Sequence, residues 1–308
     1  MMSPEEKHRD RKFALVTGAT SGLGFDFAKL FAKDGYNLVL VARNEDRLMA
    51  LAADLTQTFF VEVLPLSKDL FYPAAAGEIY EELTRKDIDV DILVTNAGQG
   101  EHGDFAGYDV SRDIDVIQLN ITSLVSLTKY FLRDMLARNH GRILHVASML
   151  GKYPAPYMTV SAAAKAFVIS FTEGLARELK DSNVTITALV PGPSDLIHMP
   201  GAKGTATYPE ENLSTPQEVA EHGYKAIMSG ENKIVSGFRS EIYAAVSNLP
   251  PDSSLAEVKT KKMGPGDERG GRKHSLHDAS VRERDEVAHH TGNASGDYDI
   301  HEDHVQDQ

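Results

Sequence analysis

The sequence predicts an α/β domain built on a doubly wound parallel sheet, followed by a charged tail. Two observations carry that expectation. Short, β-branched apolar runs alternate with segments of helical apolar spacing from residue 13 to about residue 250, and a glycine-rich turn follows directly on the first run. The composition allows it: 308 residues, 42% hydrophobic and 25% charged, suffice for one large domain. The formal net charge is −13, with no basic stretch, so nucleic acid is not an expected partner. There is no cysteine, which rules out disulfides and thiolate chemistry and fits a reducing compartment.

Taken in order, residues 1–12 form a polar N-terminal extension without the apolar core of a secretory signal. The strand candidates are Phe13–Thr17, Asn37–Ala42, 59–64, 91–95, 142–146, 185–190 and 233–235. Each is short, apolar and bounded by Gly, Pro or Asn, as expected of strands covered on both faces. Phe27, Leu30 and Phe31 form one helical face, closed by Asp34-Gly35 as a left-handed cap; Leu48, Leu51, Ala52 and Leu55 form another. Ser214-Thr215-Pro216 supplies a cap and an early proline for a helix running to about Met228. Strand and helix alternating in this way give right-handed crossovers and a Rossmann-like domain over 13–250. Beyond it, 251–308 is charged, poor in aromatics and holds half of the histidines, which reads as a disordered tail. His289-His290, His301 and His304 show no ligand geometry, so no metal is expected. The longest apolar runs, 38–42 and 186–190, are too short to span a bilayer, so a cytoplasmic protein without membrane association is expected.

The chemistry concentrates after the first strand. Residues 17–24 read TGATSGLG and lead into a helix. Glycines let backbone N–H groups approach a pyrophosphate, and the helix start adds positive potential. The second strand ends Val41-Ala42-Arg43-Asn44. An NAD site places a carboxylate there for the ribose hydroxyls; here Arg43 offers a guanidinium suited to a 2′-phosphate, which points to NADP(H). The competing reading of Arg43 is an ordinary surface arginine.

These motifs resemble the classical short-chain dehydrogenase/reductase family over roughly residues 13–250. The turn containing Gly18, Thr20, Ser21, Gly22, Leu23 and Gly24 matches the family's TGxxxGxG. Asp69-Leu70 is similar to the pair that contacts adenine, and Asn96-Ala97-Gly98 matches the NAG beside the cofactor. Asn120 stands where the family holds a relay water, and Ser148 matches its catalytic serine. Pro191-Gly192-Pro193-Ser194 resembles the PG motif whose following hydroxyl reaches the carboxamide. The resemblance implies a carbonyl or alcohol substrate, a Lys165 that binds the nicotinamide ribose, and a homodimer or homotetramer.

One position departs. The family's Tyr-x-x-x-Lys reads Ser161-Ala162-Ala163-Ala164-Lys165 here. A serine hydroxyl is shorter than a phenol and a far weaker acid, and general acid–base catalysis is worth roughly 10²–10⁴ in rate. Three readings stay open. A rearranged donor is one: Tyr157, four residues before Ser161 and expected one turn away on the same helical face, or a water held by Ser161, Lys165 and Asn120. Tyr157 is otherwise a pocket wall. The second is a catalytically weak NADP(H)-binding sensor or partner-binding subunit. The third is a reductase whose tyrosine was removed by mutation. His102 is expected to be a solvated loop residue and His145 to contact a neighbouring helix, while His198 and Met199 fall in a loop suited to a lid.

Overall fold

The computed structural model describes residues 11–192 and 214–236. Seven strands form one parallel sheet: β1 (Phe13–Thr17), β2 (Asn37–Ala42), β3 (Val63–Ser67), β4 (Val90–Thr95), β5 (Gly141–Val146), β6 (Val184–Pro191) and β7 (Lys233–Ser236). Their spatial order is β3-β2-β1-β4-β5-β6-β7. The chain moves outward from β1 to β3, then returns to place β4 on the other side of β1. That reversal opens a crevice at the carboxyl ends of β1 and β4, where this class of sheet receives ligands.

Helices cover both faces. α1 (Gly22–Lys33), α2 (Glu45–Phe59) and α7 (Pro216–Ser229) pack on one; α3 (Ala75–Arg85), α5 (Ser123–Arg138) and α6 (Thr159–Glu178) pack on the other. The side chains of β1 alternate accordingly. Ala14 and Val16 meet Phe27, Phe31, Leu48 and Ile227, whereas Phe13 and Leu15 meet Ile79, Phe131 and Met135. Full burial of each large side chain contributes about 1.5–3 kcal/mol, so the centre of the sheet carries much of the stabilising burial. The helix starts follow from local chemistry: Asn44 caps α2 through the Arg47 amide, and Thr215 and Glu218 form a reciprocal capping box at α7. A shorter helix, α4 (Val110–Ile117), starts at the Asp109 cap and runs through a π-helical turn, Gln118–Thr122, into α5.

Two expectations need correction. The third strand is Val63–Ser67 rather than 59–64. Phe59 instead ends α2, and Phe60 caps it in the left-handed region at φ 58°. The strand also contains Pro65, which is tolerated because β3 lies at the sheet edge. Tyr157 does not lie on the helix of Ser161: α6 begins at Thr159, and Tyr157 precedes it with a left-handed backbone at φ 63°. Residues 1–10 of the extension 1–12, the tail 251–308 and Pro193, Ser194, His198 and Met199 lie outside the described residues.

Candidate functional site

The glycine turn is held in shape by Asn96 and Thr17. The Asn96 amide donates to the carbonyls of Thr17 (3.0 Å) and Gly18 (3.2 Å), and the Thr17 hydroxyl accepts from the Asn96 and Ala97 N–H groups at 2.9 and 3.0 Å. Gly18 sits at φ +66°, and a Cβ on Gly24 would lie 2.3 Å from the Gly18 carbonyl oxygen. Glycine at 24 is therefore what lets α1 start against the turn. Ser21 makes no side-chain cap, and the first turn of α1 has no acidic residue, so its N–H groups and positive potential face the crevice.

A cleft of about 320 Å³ opens there. Its lining includes Gly18, Thr20, Ser21, Arg43, Asp69 and Leu70, with Ala97 and Gly98 beyond. Ala42 ends β2, so no carboxylate meets a ligand at that strand. The Arg43 guanidinium carbon stands 5.2 Å from the Phe71 ring centroid, a cation–π contact that holds it at the cleft. Arg47 and Lys68, which belong to no motif in the sequence, also line the cleft. Arg47 lies four residues after Arg43, a spacing that the short run of α2 around its cap could have flagged. Asp69 accepts from the Phe71 N–H at 3.0 Å, which shapes the turn above the cleft.

Behind Gly98 the catalytic candidates Asn120 and Lys165 converge. A Cβ on Gly98 would lie 2.9 Å from Asn120 Oδ1 and 3.2 Å from Lys165 Nζ. Asn120 sits in the π-helical turn and donates to the carbonyls of Gln99 (2.8 Å) and Val116 (2.9 Å). Its Oδ1 is buried and accepts no hydrogen bond from the described residues. Such an orphaned acceptor beside an ammonium is the mark of a site for a polar ligand or water. Lys165 donates to the Val146 carbonyl at 3.0 Å, at the end of β5. Two residues on, Ser148 is buried and its hydroxyl accepts from the Leu150 N–H at 3.2 Å. The turn 149–152 packs on the backbone of α6 at Lys165, where a Cβ on Gly151 would come within 2.5 Å. Pro191 pairs with Ser236 at the end of β6, and Gly192 is buried beside it.

Ser161 is buried, at 5% exposure, and its hydroxyl is already engaged. It accepts from the Glu101 N–H at 2.8 Å and donates to the Glu101 carbonyl at 3.3 Å. The Glu101 carboxylate pairs with Arg112 and accepts from the Gln99 amide at 3.2 Å. Tyr157 packs with Leu150, Met158 and Ala162, its ring centroid 6.1 Å from that of His102. His102 is thus half-buried against an aromatic ring rather than solvated. His145 contacts helices, as expected, bonding Thr128 of α5 and Thr172 of α6 at 2.9 Å each. Burial lowers its pKa to about 3.

The crevice fits a dinucleotide: uncapped helix amides and close-approach glycines at one end, cations at the end of β2, and beyond Gly98 an orphaned acceptor and an ammonium. Comparison with known proteins agrees with this geometry. The short chain dehydrogenase family profile matches residues 12–203. A very-long-chain 3-oxoacyl-CoA reductase from Anas platyrhynchos is 32% identical over 187 residues, 58% of each chain, so this chain spans little more than half of that relative. A dehydrogenase/reductase SDR family protein 7-like from Anopheles gambiae is 31% identical over 242 residues, 74% of this chain and 76% of the relative. A solved short-chain dehydrogenase from Sphingobium yanoikuyae in complex with NADPH superposes with a TM-score of 0.66 at 28% identity, covering 85% of this chain and 99% of that one.

Proposed function

The chain belongs to the short-chain dehydrogenase family, and on that premise we propose that it is an NADP(H)-dependent oxidoreductase acting on a carbonyl or alcohol substrate. The observation that carries this reading is the cleft whose lining brings Arg43, Arg47 and Lys68 together beside a β2 that ends without a carboxylate. Arg43 and Arg47 there suit a 2′-phosphate, with Lys68 beside them paired to Glu78 at 2.6 Å, and the NADPH held by the Sphingobium yanoikuyae relative supports the choice. When bound, the cofactor supplies or accepts the hydride. Thr20, Ser21, Gly22 and Leu23 would offer backbone amides to its pyrophosphate, while Gly18, whose N–H donates to the Val41 carbonyl at 2.8 Å, and Gly24 shape the turn that allows the approach. Asp69 and Leu70 would flank its adenine, and Asn96, Ala97 and Gly98 would support it from the loop after β4. Lys165 would orient the ribose near Asn120, and Pro191 and Gly192 at the end of β6 would lie toward the carboxamide. Ser148 positions the reacting oxygen by a hydrogen bond.

The proton is the weak step. The one proton of Ser161 goes to the Glu101 carbonyl, so that hydroxyl does not serve as the acid. Tyr157, placed before α6 and packed in a satellite core, suits a pocket wall. We therefore favour slow turnover with water held at Asn120 and Lys165 as the proton source. The same observation favours, as a second reading, a protein that binds NADP(H) and turns over little. A homo-oligomer fits the exposed Val110 and Ile114 on α4 and Phe167 on α6. Among the described residues no helix is long and apolar enough to cross a membrane.

The test is transfer of deuterium from C4-deuterated NADPH to a panel of ketones and aldehydes, read by mass spectrometry. Turnover that drops by about 10² or more in Lys165→Ala is expected. NADPH binding without label transfer to any carbonyl would leave the binding-only reading.

A further inference from the structure

The segment 99–103 is fastened at every second residue. The Gln99 carbonyl accepts from the Asn120 amide (2.8 Å), both main-chain polar groups of Glu101 bond the Ser161 hydroxyl (2.8 and 3.3 Å), and the Gly103 N–H donates to the Tyr157 carbonyl (2.8 Å). The fasteners come from the π-helical turn, from α6 and from the residues just before α6. A fourth comes from α4, through the pairing of Arg112 with the Glu101 carboxylate, whose side chain is only 14% exposed. Gly103 allows the last approach, because a Cβ there would meet the Tyr108 ring at 3.3 Å.

We propose that Ser161 is a positioning residue: its hydroxyl clamps Glu101 and so sets the 99–103 segment as the wall of the substrate pocket, with the Glu101–Arg112 pair as the charged rim of that wall. The assignment goes beyond the NADP(H) reading and needs only the position of Ser161 next to Lys165 in that site. A single hydroxyl that donates to and accepts from the same residue acts as a two-point clip, which neither alanine nor a longer side chain reproduces. A ring built along the Cβ–Oγ direction of residue 161 would occupy the place of the Glu101 backbone. A tyrosine in that rotamer and the clamped segment therefore exclude one another. The clip also explains why serine at this position is buried and fully satisfied rather than facing an open pocket.

The test is amide hydrogen exchange on the full chain, without cofactor, for wild type, Ser161→Ala and Ser161→Thr. Losing a hydrogen bond of ordinary net strength predicts exchange at Glu101 about fivefold faster in Ser161→Ala, with protection in β5 retained. Threonine keeps the hydroxyl and restores protection at Glu101. If turnover is detected, Ser161→Ala raises KM for the carbonyl substrate more than it lowers kcat and leaves NADPH affinity within about twofold. Unchanged exchange at Glu101, or protection lost equally across β5 and α6, overturns the proposal. The exchange result does not depend on the protein being an enzyme, so failure of the clamp and failure of the oxidoreductase reading are distinguishable.

Discussion

His145 shows how one buried residue ties the sheet to two helices. It lies on β5, fully buried, between Thr128 of α5 and Thr172 of α6, with the Phe171 ring stacked on it at 5.8 Å. A neutral imidazole has one N–H, so it donates to one threonine and accepts from the other. Protonation would put a charge in the core, and burial holds the pKa down at about 3, below the ordinary 6.5. The unfolded chain binds that proton below pH 6.5 and the native protein does not until about pH 3. This residue therefore reduces stability as pH falls through that window, by about 1.4 kcal/mol per pH unit once the unfolded form is fully titrated. Urea unfolding between about pH 6 and pH 4 is expected to show a steeper loss for wild type than for His145→Gln. Parallel curves would mean that the histidine is already charged or is exposed in the folded state. At the same scale, Ser161 was legible as the departure from the family motif. Its partner was not, because Glu101 lies sixty residues away in sequence and is held through its backbone, which leaves no side-chain signature.

Elements were most legible where local chemistry and burial agree. β1, β2 and the helix after Thr215 follow from apolar runs bounded by turn residues and from the Thr215-Pro216 start. β3 was misplaced because Phe59 and Phe60 resemble strand residues, yet the face of Leu48, Leu51 and Leu55 carries α2 on to Phe59. Phe60 is then 92% exposed, a position that aromatic propensity alone would not assign. Tyr157 was misplaced for a related reason: helical spacing was extended backward across a cap, and the left-handed backbone at 157 ends it. The capping box at α7 gives a quantitative expectation. Thr215 accepts from the Glu218 amide at 3.2 Å, and Glu218 accepts from the Thr215 N–H at 2.8 Å. Thr215→Ala is expected to cost about 1 kcal/mol in urea unfolding, with the m-value unchanged. No loss of stability would show that the box does not hold α7 in solution.

The whole molecule carries a net charge of −13, yet its crevice gathers Arg43, Arg47 and Lys68 at one end, and Lys165 lies behind Gly98 at the other. An acidic surface around a locally basic cleft is consistent with a small phosphorylated ligand rather than a polyanion. The topology explains the placement, because the switch between β1 and β4 brings the glycine turn, the end of β2 and the Asn96 loop to one edge. The measurement that tests this most directly is a fluorescence titration of wild type and Arg43→Asp with NADPH and NADH. NADPH is expected to bind wild type more tightly than NADH, and Arg43→Asp to weaken NADPH by about tenfold or more while sparing NADH. Equal affinity for both nucleotides in wild type, or an Arg43→Asp variant that binds NADPH unchanged, would contradict the account.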